Sequence, residues 1–171
     1  MLQTNFLEKQ FSNPLTLASG ILGLTAASLH RIVQNGAGGV TAKSVSLEPR
    51  HGHPNPVIIS KERYIINAVW LSNPGAVEAV EEFVKFKQLC SAPLIASIFG
   101  KSTDEFGKLA EKISVAPIDF LELNLSCPNV SHEFGQRFAF SAEAVTVITK
   151  KVKEKTKIRH YYCRTRNLRV A

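Results

Sequence analysis

Cysteine is scarce in this 171-residue chain, and its three copies, Cys90, Cys127 and Cys163, form no CxxC pair and no cluster with histidine. Their separations of 37 and 36 residues give poor support to a zinc or other metal site. The odd count argues against a disulfide framework. No apolar run approaches the roughly 20 residues that a membrane-spanning helix needs. The opening MLQTNFLEKQF lacks a basic segment followed by an apolar stretch, so no secretory signal is expected and a cytoplasmic location is. No GxGxxG follows the first predicted strand, which removes direct support for a dinucleotide-binding fold. The last thirteen residues hold no Asp or Glu but do hold Arg159, Arg164, Arg166 and Arg169. Those four account for more than half of the net charge of +7 and leave +3 for the rest. The basicity therefore belongs to the tail, and with no RNA- or DNA-binding motif it does not argue for a nucleic-acid partner.

What is present reads as alternating short strands and amphipathic helices. Leu15–Ala18 is a short extended run closed by Ser19-Gly20. Ala26–Asn35 has helical spacing, with Leu29, Ile32 and Val33 on one face and Gly36 as its stop. Gly39–Ala42 reads as a strand ending at Lys43, and residues 44–74 as one long connection. A helix is expected over Ala76–Leu89, with Val77, Val80, Phe83 and Val84 facing inward, and a strand over Pro93–Phe99. Ser102-Thr103-Asp104-Glu105 is a capping-box sequence that opens a further helix through Ile113. Asp119–Ser126 reads as a strand, and Ala142–Lys155 as a helix burying Val145, Ile148 and Val152. Four strands in such a β-α repeat imply an α/β parallel sheet with crossover helices, half of an eight-stranded βα barrel, with an open doubly wound sheet as the alternative closure. After Lys157 the repeat calls for a buried strand, whereas IRHYYCRTRNLRVA is too basic to lie inside one. Residues 158–171 are therefore read as an aberrant tail, from a shifted reading frame, an early end or a genuine basic extension.

The polar residues that stand out lie just past strand ends: Ser19-Gly20, Lys43-Ser44, Ser97 with Gly100, and Asn124 to Asn129. In parallel βα folds that end of the sheet is the ligand face. Turns also favour Ser, Asn and Gly without any ligand. Cys127 starts the loop after the fourth strand, where it could serve as nucleophile or base or simply pack as a small apolar group. Lys43 either neutralises an anion or points to solvent. Asn67, alone in an apolar stretch, needs a partner from backbone or ligand. His51 and His53 read as loop residues.

Four segments carry a resemblance: ASG at Ala18–Gly20, TAKSVSLEPRHGHPNP at Thr41–Pro56, INAVWLSNPG at Ile66–Gly75 and ELNLSCPNV at Glu122–Val130. In this order they resemble the dihydroorotate dehydrogenases, with similar spacing over about residues 11–157. The cysteine and SLEPRHGHPNP are most similar to class 1 enzymes, and VSHEFGQ to their type B branch. The resemblance implies the N-terminal half of an FMN-containing (β/α)8 TIM barrel over residues 1–157, oxidising dihydroorotate to orotate in pyrimidine (UMP) synthesis. It implies Cys127 as the base; Lys43, Asn67, Ala68, Val69, Trp70, Leu71, Asn124 and Asn129 at the substrate; and Ser19, Lys43, Ser44, Ser97 and Asn124 at the FMN. It further implies an FAD- and iron–sulfur-bearing partner subunit, NAD as a possible acceptor, and a homo- or hetero-oligomer at full length. Trp70 replaces the family's usual glycine, and Ser97 an asparagine near the flavin. The family's next strand brings a flavin lysine and later loops the FMN phosphate site, none of which is seen. The chain is therefore expected to bind FMN weakly or not at all and to be prone to aggregation. The alternatives are an inactive fragment and a neighbouring dihydropyrimidine dehydrogenase-type flavin barrel.

Overall fold

The computed structural model describes residues 2–127 and 137–163. The chain opens with an antiparallel hairpin, β1 (Thr4–Phe6) and β2 (Lys9–Phe11), turned by Leu7 and Glu8 in left-handed backbone. Next come β3 (Thr16–Leu17), α1 (Ala26–Gln34) and β4 (Gly39–Thr41). A second hairpin, β5 (Ile58–Ser60) and β6 (Ile65–Asn67), precedes α2 (Ala76–Leu89). The remainder alternates: β7 (Leu94–Ile98), α3 (Thr103–Ile113), β8 (Phe120–Asn124), α4 (Ala142–Lys155) and β9 (His160–Cys163).

Local chemistry sets most of these bounds. Thr25, Ser102 and Ser141 each cap a helix by accepting a backbone N–H with the side-chain oxygen, from Ser28, Glu105 and Ala144 respectively. At Gly75, which precedes α2, φ is +87° and a Cβ would come within 2.8 Å of the Pro49 nitrogen, so glycine is required.

β3, β4, β7, β8 and β9 form one five-stranded parallel sheet whose spatial order is the chain order. A doubly wound sheet reverses direction at a switch point, and this one does not. Right-handed crossovers then place the helices on one side, an arrangement compatible with part of a βα barrel. On the helix side, Val40, Ala42, Leu94, Ala96, Ile98, Leu121 and Leu123 join α1–α4 in the main core. On the opposite side, Phe11, Ile95 and Phe120 form a second cluster against which Tyr161 packs. Alternation along each strand produces both faces.

Three expectations change. The fifth strand exists: His160–Cys163 pairs in register with Leu121–Asn124. No arginine lies inside it, because Arg159 falls just before it and reaches the Glu8 carboxylate and the Leu7 carbonyl in the first hairpin. Residues 164–171 lie outside the described residues. In α2 the inward face is Ala76, Ala79, Phe83 and Phe86, whereas Val77 is 59% and Val84 36% exposed. Two phenylalanines bury more apolar area than two valines and set the rotation of the helix. Finally, the connection 44–74 is not irregular throughout, since it contains the β5–β6 hairpin.

Candidate ligand face at the strand ends

Glu122 is the centre of the carboxyl end of the sheet. It is the middle residue of β8, is 9% exposed, and faces away from the helices. A buried carboxylate is costly unless hydrogen-bonded, and three hydroxyls satisfy this one. Ser19 and Ser97 donate to Oε1 at 2.9 and 2.8 Å, and Tyr161 donates to Oε2 at 3.2 Å. Ser97 is fully buried, and its oxygen lies 2.8 Å from that of Ser44. The Asn124 amide donates to Ser44 Oγ at 3.1 Å. Residues from all five strands of the sheet or the turns just after them thus converge on one polar network.

Lys43 sits at the exit of β4 and is only 6% exposed. Its ammonium donates to the Gly20 carbonyl at 2.7 Å. Burial lowers its pKa from the ordinary 10.5, and the charge of nearby Cys127 opposes that fall. Cys127 itself is half-buried just beyond β8. A lysine and a cysteine placed in this way can hold or pass a proton while keeping a cation near an anionic ligand. Cys90, also half-buried, lies at the far end of α2 and takes no part.

The structure therefore brings Ser19, Lys43, Ser44, Ser97, Asn124 and Cys127 together. It leaves residues 67–71 apart: Asn67 and Ala68 are exposed at the end of the β5–β6 hairpin, and Val69 and Leu71 are half-buried. Among the described residues, no side-chain hydrogen bond joins this segment to the cluster. Trp70 turns outward, 43% exposed, with its ring 4.7 Å from His53 and the Arg50 guanidinium 5.7 Å above it. Its φ of +56° is a left-handed conformation, unusual for a bulky residue and natural for glycine. Asn129 lies outside the described residues.

Sequence reasoning missed Glu122 and Tyr161. For Glu122 a signal was available: in Phe120–Asn124 it shares a face with Asn124, and an acid in an apolar strand needs partners. It also missed Asn73, whose side-chain oxygen accepts from Ser46 N at 3.1 Å and Gly75 N at 2.9 Å, tying the two ends of the long connection together. A concavity of about 390 Å³ is lined by Phe6, Phe11, Ile95, Glu122 and Tyr161 and lies on the amino-end side of the network, away from Cys127.

A singly wound parallel βα sheet with a polar cluster at its strand exits defines a protein whose ligand face is the carboxyl end of the sheet. The chain belongs to the dihydroorotate dehydrogenase family, whose model matches residues 1–162. It is 43% identical over 156 residues to the dihydroorotate dehydrogenase B (NAD(+)) catalytic subunit of Pyrococcus abyssi, covering 91% of this chain and 51% of that one. To the protein of the same name from Methanocaldococcus jannaschii it is 39% identical over 161 residues, covering 92% and 52%. The chain spans about half the length of the curated relatives it matches. The family implies a flavin and an oxidoreductase. Among the described residues, no helix is long and apolar enough to cross a membrane.

Proposed function

We propose that this chain supplies the first part of an FMN-dependent (β/α)8 barrel that oxidises dihydroorotate to orotate in UMP synthesis. The observation that carries this reading is the buried Lys43 ammonium near Cys127, at the exits of β4 and β8, the strands that flank β7, within the matched family segment. The donor set fits a flavin: a desolvated ammonium with hydrogens to spare beyond its bond to Gly20, the Asn124 amide, and the Ser19–Gly20 turn suit an electron-rich ring bearing carbonyls. Lys43, Ser44 and Asn124 would hold that ring, with Ser19 close by and Ser97 acting from beneath. Bound flavin supplies the acceptor for the hydride that leaves C6. Cys127, as thiolate, takes the proton from C5, so that the C5–C6 double bond forms as both hydrogens depart. Lys43 offsets the thiolate charge before transfer and faces the anionic substrate afterwards. Asn67 at the end of β6 and residues 68–71 after it, with Asn129, complete the substrate contacts.

The FMN phosphate site belongs to the part of the barrel outside the matched half. The relatives are named as catalytic subunits of an NAD(+) enzyme, which supports a partner subunit and NAD as acceptor, whereas an FAD- and iron–sulfur-bearing partner and a cytoplasmic hetero-oligomer rest on the family resemblance. The proposed aberrant tail then concerns residues 164–171, after β9. To test the reading, the chain is co-expressed with the second half of the Pyrococcus abyssi relative, and flavin bleaching by dihydroorotate is followed without oxygen. Bleaching that falls by about 10²-fold or more in Cys127→Ala supports it. Bleaching by reduced uracil instead would move the chain to the dihydropyrimidine dehydrogenase type. Absence of both flavin and bleaching would mark an inactive fragment.

A further inference from the structure

The hydroxyls between Glu122 and Asn124 can be oriented in only one way. A carboxylate accepts hydrogen bonds and donates none, and each serine hydroxyl has a single hydrogen. Ser97 spends its hydrogen on Glu122 Oε1 at 2.8 Å, so at its 2.8 Å contact with Ser44 it must accept. Ser44 in turn has spent its hydrogen on Ser97, so toward Asn124 it can only accept, which requires the Asn124 nitrogen and not the oxygen to lie there, at 3.1 Å. Ser19 and Tyr161 hold the carboxylate from two other strands and keep it from rotating. Either end of an amide can face a given neighbour, and only its hydrogen-bond partners decide between them.

We propose that Glu122 is a positioning residue which, through Ser97 and Ser44, fixes the Asn124 amide with its oxygen and one remaining N–H turned to the ligand. The site then reads an edge on which N–H stands beside C=O, as in a ring amide or imide. The inference deepens the proposed function, and rests on it only for the identity of the ligand.

The test uses the 171-residue chain without ligand and follows solvent exchange of the Asn124 side-chain amide by NMR, with Asn124→Asp to assign the signal. Glu122→Leu removes the acceptor; Glu122→Gln keeps an oxygen in its place. Exchange is expected to quicken by about tenfold in Glu122→Leu. It should stay within about threefold of the parent in Glu122→Gln, while backbone protection at Leu94 and Leu121 is unchanged. Ser97→Ala cuts the relay without touching the charge and should match Glu122→Leu; if the latter does not fold, Ser97→Ala decides alone. Unchanged Asn124 exchange in the folded Ser97→Ala chain would overturn the proposal, as would an equal rise in Glu122→Gln. Because no ligand is present, failure of dihydroorotate to react leaves this result standing, and the reverse also holds.

Discussion

The side of the sheet that faces away from the helices has two halves, and they differ in kind. Toward the amino ends, Phe11, Ile95 and Phe120 pack with Phe6 and Tyr161, with Phe11 and Phe120 stacked 6.2 Å apart. Two residues further along the same strands, Ile95 gives way to Ser97 and Phe120 to Glu122, and above these lie Lys43 and Asn124. One pleat of each strand thus separates an aromatic floor from a polar ligand face. The floor gains by excluding water. The polar layer is tolerated because every buried group in it finds a hydrogen-bond partner. Stability and candidate function are therefore stacked along the strands, and each half can be broken without replacing the other.

The largest effect is expected at the floor. Phe120→Ala should lower stability by about 3–5 kcal/mol, read from urea unfolding. A loss below about 1 kcal/mol would show that this face has no core of its own.

Next comes the ionic rim beneath the floor. Asp119 pairs with Lys87 at 2.6 Å and Lys9 at 2.5 Å and accepts from Leu94 N at 2.9 Å. Burial pushes its carboxyl pKa up, but the hydrogen bonds from Lys87, Lys9 and Leu94 outweigh this and hold it below 3.8. A depressed pKa gives stability that is present above the unfolded value and lost as pH falls through the folded one. Asp119→Asn should therefore cost about 1–3 kcal/mol at neutral pH. The gap between its melting curve and the parent's should close as pH drops below 3.8. A gap that persists in acid would mean the pairs are not its source.

The smallest effect, and the one of opposite sign, is expected at the ligand face. Lys43 is desolvated there at a cost, so Lys43→Met should stabilise the chain by about 1 kcal/mol while removing the candidate function. Since folding depresses this pKa, the gain should shrink as pH rises toward 10.5, where the parent loses its charge in both states. Destabilisation by Lys43→Met would show that the Gly20 bond outweighs the desolvation.

Much of the fold could be read locally. The helices Ala76–Leu89 and Ala142–Lys155 have the bounds that spacing and Ser141 indicate, because a cap and its helix are neighbours in sequence. The rotation of α2 could not be read this way, since it depends on what Phe83 and Phe86 meet across the core. The strand at His160–Cys163 was hidden by the arginines near it in sequence, of which Arg159 has its charge taken up by Glu8 of the first hairpin, far away along the chain. The candidate site was legible as a set of residues at strand exits, and the family motifs named most of them. Their separation into a joined cluster and an outlying segment 67–71 was not, because the contacts that close the long connection, Arg50 with Asn73 and Ser46 with Asn73, are nonlocal.

By itself, then, the sequence determined the kinds of element, their alternation, and the polar residues that end each strand, since caps, periodicity and turn chemistry act over a few residues. Only the tertiary structure decided that Glu122 would gather Ser19 and Ser97, that Ser97 would be closed to solvent, and that Lys43 would lose its water beside Cys127. Ser19 and Glu122 are 103 residues apart. Whether they meet depends on which strands are neighbours and in what register, which is settled by packing both faces of the sheet at once.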